Sequence, residues 1–162
     1  MLKPLGLIHG HYECRSLSQT LPILTDLLAL DVVAKTDEQS VVKHPNTDWL
    51  LVVHEGGPTA PDKPLMNHYG VRVTERHEVD AAWEYVSAHR EKYGLQRITR
   101  PGELHFAYSF YFKEPGGNHW EIEFYDQAAA GGRSAAIPHW GVPLVAARFP
   151  GKGYVPQALS HG

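Results

Sequence analysis

The sequence predicts an α+β fold in which two βαβββ modules pair into a half-open β-barrel, with the helices outside and a C-terminal arm beyond it. Three observations predict this fold. The same order of elements occurs twice, each copy contains one amphipathic helix, and a Gly- and Pro-rich segment separates the copies. We expect one domain at 1–126, with modules at about 5–55 and 66–126, a linker at 56–65 and a tail at 127–162. Two such modules can bury their sheets only by pairing.

The first module begins with a strand at 5–14, in which polar and apolar side chains alternate towards the end. A helix is predicted from Ser18 or Thr20 to Leu28, because leucines recur there at helical spacing. Pro22 falls in its first turn, where proline is tolerated. Three strands complete the module, at 31–35, 39–43 and 49–54.

The second module repeats this order. A strand is predicted at 67–74 and a helix at 79–93, which Gly94 ends as a C-cap. Strands at 95–100, 106–113 and 119–125 follow. The fragments 11–15 (HYECR) and 68–72 (HYGVR) also resemble each other, which indicates an internal duplication.

Composition excludes several classes of function. The 162 residues are 43% hydrophobic and 20% charged, so the chain can bury a core. The formal net charge of −3 gives no reason to expect a nucleic acid or an anionic membrane as partner. A single cysteine, and no apolar run of membrane-spanning length, predict a cytoplasmic protein. The 11 histidines favour a metal site.

Candidate metal ligands lie on three strands. His9 and His11 share one face of the first strand, because alternate residues of a strand point the same way. His68 begins the matching strand of the second module, and Glu121 lies on its last strand. Two imidazoles and one carboxylate form a facial triad that leaves coordination positions open. His11 competes with His9 for the first position, and Glu123 is a weaker candidate than Glu121.

Two further residues are candidates for proton transfer and substrate binding. Tyr111 lies ten residues before Glu121, across a Pro-Gly-Gly hairpin, and His105 shares its strand face. A histidine and a tyrosine beside an open metal could move protons and donate a hydrogen bond to a bound oxyanion. An ordinary strand tyrosine is the alternative for Tyr111.

The segment 111–121 (YFKEPGGNHWE) resembles the motif of extradiol ring-cleavage dioxygenases, which ends in their carboxylate ligand. Together with 9–17 and 67–69, it makes the chain similar to the vicinal oxygen chelate superfamily over about residues 5–126. The resemblance implies His9, His68 and Glu121 as metal ligands, because counting from His9 reaches the family's helix without a gap. It implies His105 and Tyr111 as catalytic residues, with His105 one residue closer to Tyr111 than the usual pattern.

The resemblance also implies a reaction class. Glyoxalase I enzymes have a fourth, acidic ligand, and the position expected for it in this chain is occupied by Leu51. Because this carboxylate is absent there, a three-ligand dioxygenase site is favoured. We therefore expect an extradiol-type dioxygenase for a catechol-like or enediol-like small molecule, using Fe(II), or else Mn(II) or another divalent ion. A non-redox lyase, isomerase or thiol transferase is the first alternative, and a metal-free drug-binding module is the second. A homodimer is also expected.

Overall fold

The structure is a computed structural model that describes residues 8–57, 61–104 and 107–125. The predicted tail at 127–162 lies outside these ranges, as do residues 58–60 of the predicted linker. Among the described residues, no helix has the length and apolar character that crossing a membrane requires.

The first module contains one sheet and one helical segment. Strand β1 (His9–Cys14) leads into helix α1 (Leu17–Pro22), which continues as a short π-helix at Ile23–Leu27. Strands β2 (Asp31–Lys35), β3 (Gln39–Lys43) and β4 (Leu50–Glu55) follow. The sheet has the order β1-β4-β3-β2, in which β1 and β4 are parallel and the other pairs are antiparallel.

The second module has the same arrangement. Strand β5 (His68–Arg72) precedes helix α2 (Arg76–Ala88), and four strands follow, β6 (Arg97–Ile98), β7 (Gly102–Leu104), β8 (Ala107–Lys113) and β9 (His119–Tyr125). The order is β5-β9-β8-β6, and β7 also pairs with β8. Strands β5 and β9 are parallel, as β1 and β4 are in the first module.

This architecture confirms the predicted α+β class. The first module has the predicted βαβββ order, and the second has this order with one additional strand, β7. The described strands form two separate sheets, one in each module, and no closed barrel. Helix α2 begins earlier than predicted, because Glu75 and Glu78 form a capping box at its start. It also ends earlier, at Ala88, and the backbone then turns as far as Gly94, which has a φ of +62°. The two-residue strand β6 is shorter than predicted, and β7 was not predicted.

The two modules share one hydrophobic core. At their junction the ring of Tyr12, from β1, lies 5.2 Å from that of Tyr69 and 6.2 Å from that of Trp120, measured between ring centroids. The Tyr69 and Trp120 rings are 5.3 Å apart. These side chains point away from the sheet face that carries the candidate ligands, because side chains alternate along a strand. The core therefore holds the sheets in place and leaves the candidate site on the opposite face.

Candidate metal centre

His68 and Glu121 form the centre of the candidate site. They lie on adjacent parallel strands, where Gly70 is in register with Glu121, and both side chains leave the same face of the sheet. The Nε2 atom of His68 is 3.0 Å from Oε2 of Glu121. Glu121 is 7% exposed, and the His68 side chain is 22% exposed. An almost buried carboxylate needs a partner to offset its desolvation, and the imidazole is that partner.

The second imidazole nitrogen fixes the orientation of the His68 ring. Nδ1 lies 2.8 Å from the carbonyl oxygen of Leu65. A carbonyl oxygen only accepts hydrogen bonds, so Nδ1 carries a hydrogen and is the donor. In direct contact with the Glu121 carboxylate Nε2 must then carry a hydrogen, whereas with an ion between the two groups the neutral ring would direct its Nε2 lone pair at the ion. Metal-ligating histidines are commonly oriented in this way, with the other nitrogen donating to a carbonyl or a carboxylate.

The donor atoms fit a divalent ion. Imidazole nitrogen and carboxylate oxygen are ligands for iron and manganese. Two ligands at about 2.1 Å from an ion, at a right angle to each other, are about 3.0 Å apart. The separation between Nε2 of His68 and Oε2 of Glu121 is also 3.0 Å.

Tyr111 borders this pair. It stands opposite Glu121 in the antiparallel register of β8 and β9. Its ring lies edge-on to that of His68, with 5.1 Å between the ring centroids. Burial, and then a hydrogen bond with the Glu121 carboxylate, raise the pKa of the Tyr111 hydroxyl above its ordinary range. Tyr111 therefore stays protonated and can donate a hydrogen bond, and its catalytic role remains a prediction.

Two more side chains on this face lie near the pair. The half-buried Glu123 follows Glu121 on the same face, and burial and then the Glu121 charge raise its pKa to about 7. His119 precedes Glu121 on the same face and is in register with His68. Its side chain is buried, and its Nδ1 has no hydrogen-bond partner among the described residues. His119 is not among the predicted ligands, although strand alternation from Glu121 places it on the same face.

Within a single copy of the chain, the three predicted ligands do not lie together at one site. His9 is an exposed residue at the start of β1, in the other sheet. Within the described ranges, no group of three or more His, Cys, Asp or Glu side chains lies close enough to hold a metal ion. His9 as a ligand therefore remains a prediction, and His105 lies outside the described residues.

The internal duplication relates the two sheets position by position. In the first sheet Glu13 is in register with His54, and in the second Gly70 is in register with Glu121. On the other side of these strands Gln39 pairs with His54, and Tyr111 pairs with Glu121. His54 thus stands at the repeat position of Glu121. By the same count, the repeat position of His68 falls two residues before Glu13, at His11, and the His11 and His54 rings are 6.1 Å apart.

This register corrects the expectation for Leu51. Leu51 pairs with Gly10 and is 2% exposed, so it faces the core and not the side of β1 that carries His11. The expectation is wrong because 50–53 (LLVV) is apolar on both faces, so the sequence does not show which face is buried. The matching position is held by His54, which is also not a carboxylate.

A cavity of about 420 Å³ opens beside this face of the first sheet. It contains two imidazoles, a carboxylate, an ammonium group and two amides, from strands of both modules and from the linker. Its lining residues are His11, Tyr12, Glu13, His54, Lys63, Asn67, Tyr69 and Asn118. The cavity is large enough for a small polar ligand.

Comparison with known proteins identifies the family. The sequence model of the "Glyoxalase/Bleomycin resistance protein/Dioxygenase superfamily" matches residues 10–122. A search of curated proteins found no match.

Solved structures share the fold at low identity. A possible glyoxalase from Bacillus cereus is 19% identical with a TM-score of 0.61, over 74% of this chain and 99% of that chain. The fosfomycin resistance protein FosX from Listeria monocytogenes, complexed with Mn(II) and sulfate, is 16% identical with a TM-score of 0.61, over 76% and 92%. Because the family model covers more than half of the sequence, the chain belongs to the Glyoxalase/Bleomycin resistance protein/Dioxygenase superfamily.

Proposed function

We propose that this protein is a divalent-metal enzyme whose small-molecule substrate binds through two neighbouring oxygen atoms. The observation that carries the proposal is the His68–Glu121 pair, with 3.0 Å between the donor atoms and the imidazole held by the carbonyl of Leu65. The carbonyl of Leu65 holds the ring so that Nε2, the potential ligand atom, faces the Glu121 carboxylate.

His68, Glu121 and an imidazole of β1 would hold the ion, which is Fe(II) or Mn(II) in this proposal. A bound ion of this kind supplies Lewis acidity or redox chemistry at the open positions of its coordination sphere. His9 is the first candidate for the third ligand, by its distance from the helix. His11 is the second, by its place in the repeat.

A second copy of the chain would supply that third ligand, in a homodimer. Three observations support this part of the proposal. The candidate ligands lie on two different sheets, no group of three is assembled within the described part of one chain, and His9 and His11 are exposed. A two-fold dimer would bring each first module against the second module of its partner and form two equivalent sites.

The residues around the pair would position the substrate. The Tyr111 hydroxyl stays protonated over the physiological range, because burial and the Glu121 carboxylate raise its pKa. It can therefore donate a hydrogen bond to a substrate oxyanion. His105 is proposed as the acid–base residue, on its position before Tyr111 in the sequence.

An extradiol-type dioxygenation is the first candidate reaction, on the dioxygenase-like motif at 111–121. A non-redox reaction, with the ion as Lewis acid, is the second candidate. The observation that favours it is the similarity in fold to FosX, of which one structure holds Mn(II) and 1S,2S-dihydroxypropylphosphonic acid. That structure is 14% identical to this chain, so the likeness concerns the fold and not the substrate.

Metal analysis and oxygen uptake test the proposal. Protein purified without chelators and then loaded anaerobically with Fe(II) or Mn(II) should retain about one ion per chain after desalting. Oxygen consumption with a panel of catechols would support the dioxygenase, and product formation without oxygen uptake would support the Lewis-acid reaction. Failure to retain any divalent ion would overturn the proposal and favour a metal-free binding module.

A further inference from the structure

Glu114 has a completely buried carboxyl group in the turn between β8 and β9. Charged side chains are almost never fully buried unless they are paired, because desolvation penalises the charged form. Glu114 lies outside the candidate metal centre, and the proposed function does not use it. Its environment therefore requires a separate explanation.

Asn118 links Glu114 to the other module. Its Nδ2 atom donates to Oε1 of Glu114 at 2.7 Å and to the backbone carbonyl of Glu13 at 2.9 Å. Glu13 belongs to β1 of the first module, whereas Glu114 and Asn118 flank the hairpin turn of the second. One amide group thus connects the buried carboxyl to the junction between the modules.

The hairpin turn packs tightly against the first module. A Cβ atom added to Gly116 would lie 3.0 Å from both Oε1 of Glu114 and Oγ1 of Thr20, and 3.1 Å from Cβ of Cys14. Thr20 lies on α1 and Cys14 on β1, and both are buried. The carboxyl of Glu114 is therefore enclosed between the two modules and away from water.

The polar groups that face Glu114 leave its negative charge incompletely balanced. The hydroxyls of Tyr12 and Thr20 hold its pKa down to some extent, but neither completes a hydrogen bond of ordinary geometry within the described residues, and Oε2 of Glu114 has no partner there. Arg15 contacts the turn through the carbonyl of Pro115 and forms an ion pair with Asp62.

Among the described residues, the other titratable groups that face Glu114 are a thiol and a phenol, which carry no positive charge. Cys14 and Tyr69 face it electrostatically, and the Glu114 carboxylate contributes to raising the pKa of each, after the larger effect of burial. Burial raises the pKa of Glu114 itself to about 7, against the lowering effect of its contacts with Asn118, Thr20 and Tyr12.

We propose that Glu114 is a proton-controlled latch between the two modules, which docks the β8–β9 hairpin onto β1 and α1 when its carboxyl is protonated and weakens that docking when it is ionised. This inference does not depend on the proposed function. The protonated carboxyl can donate to a neighbouring oxygen and has no charge to desolvate, whereas the carboxylate must remain charged in the enclosed junction.

The sign of the pH effect follows from the raised pKa. In the unfolded chain the carboxyl titrates near 4.5, and in the folded chain near 7. The stabilising effect of protonation is therefore complete below pH 4.5 and is lost as the pH rises to 7. Across this window the Glu114 contribution should raise the unfolding equilibrium constant about tenfold per pH unit, and above pH 7 it should be constant.

Urea unfolding of the full chain at pH values from 5 to 8 tests the latch. Glu114→Gln removes the titration and keeps a side chain of the same size that can form hydrogen bonds. In the wild-type chain the Glu114 contribution should raise the unfolding equilibrium constant about tenfold per pH unit between pH 5 and 7, and in this variant that contribution should be absent. Glu123→Gln is the matched control, because Glu123 also has a pKa raised to about 7 but lies on β9, opposite Ser109 and away from the hairpin turn.

Glu123→Gln should leave the pH dependence due to Glu114 in place. Only the double variant should lose the pH dependence of unfolding that is due to Glu114 and also that due to Glu123. A Glu114→Gln variant with the wild-type pH dependence would overturn the proposal. Because that variant could fail to fold, the carboxyl should also be titrated in the wild-type chain by carbon-13 NMR of labelled glutamate. A Glu114 pKa near 7 would support the latch, and a value near 4.5 would overturn it.

Discussion

The Nε2 atom of His68 lies 3.0 Å from Oε2 of Glu121, while Nδ1 of the same ring lies 2.8 Å from the Leu65 carbonyl. The imidazole cannot rotate away from Glu121 without breaking its bond to the backbone. The pair is therefore preorganised by the chain that enters β5 and by the parallel pairing of β5 with β9.

Tyr111→Phe should lower the turnover rate and leave metal binding intact. Tyr111 stands opposite Glu121, and burial and then the Glu121 carboxylate raise the pKa of its hydroxyl. The hydroxyl is proposed to bind the substrate oxyanion, and groups of this kind contribute about 100-fold or more to the rate. Steady-state kinetics and metal analysis of the same preparation check this prediction. Loss of metal with no separate effect on the rate would show that Tyr111 only supports the ligand.

His9→Ala and His11→Ala should differ in their effect on metal affinity. Spacing to the helix favours His9, whereas the repeat register favours His11 as the counterpart of His68. Removing the true ligand should weaken Mn(II) binding by more than about 100-fold, since even residues that only orient a ligand contribute 10- to 100-fold. Equilibrium dialysis measures this affinity. Unchanged binding in both variants would exclude β1 as the source of the third ligand.

Mixing inactive subunits should restore activity if each site uses two chains. The His9→Ala/His11→Ala double variant lacks the first-module imidazoles, and Glu121→Gln lacks the second-module carboxylate. After joint unfolding and refolding, half of the dimers would be mixed, and each mixed dimer would contain one intact site. The mixture should therefore regain about a quarter of the wild-type activity. No recovery, with mixed dimers present, would place all ligands in one chain.

Gly116→Ala should destabilise the folded chain. The new methyl group would lie 3.0 Å from the Glu114 carboxylate and from the Thr20 hydroxyl, in a buried turn. Overpacking of this kind costs about 1–3 kcal/mol. Gly102→Ala is the control, because a Cβ there meets no atom within 4 Å among the described residues. Equal stability of the two variants in urea unfolding would contradict the tight packing of the hairpin turn.

Much of the fold could be predicted from the sequence, because its strands have clear alternation and its linker is rich in glycine and proline. The first and last residues of the helices and strands were harder to predict from the sequence. Turns replace helix after Ala88. Strand β7 has only three residues and pairs with β8 close by in the sequence, and so short a strand shows no alternation that a sequence pattern could reveal.

Within the candidate site, spacing from the Pro-Gly-Gly turn selected Glu121, and the repeat selected His68, which lie in contact in the structure. His54 was not selected, because its strand is apolar on both faces and the sequence gives no register. His119 was overlooked, because a histidine next to a turn is usually exposed, and only the tertiary structure shows that it is buried. The proposed assembly of ligands from two sheets would depend on module and subunit packing, which local sequence does not encode.

Mn(II) binding to the Glu121→Gln and Glu123→Gln variants decides whether the His68–Glu121 pair holds a metal ion. The two substitutions remove the same charge from adjacent positions on one strand face, but only Glu121 contacts His68. We predict one ion per chain for the wild-type protein, an affinity lower by at least about 100-fold for Glu121→Gln, and near wild-type affinity for Glu123→Gln. Wild-type affinity in Glu121→Gln would contradict this prediction.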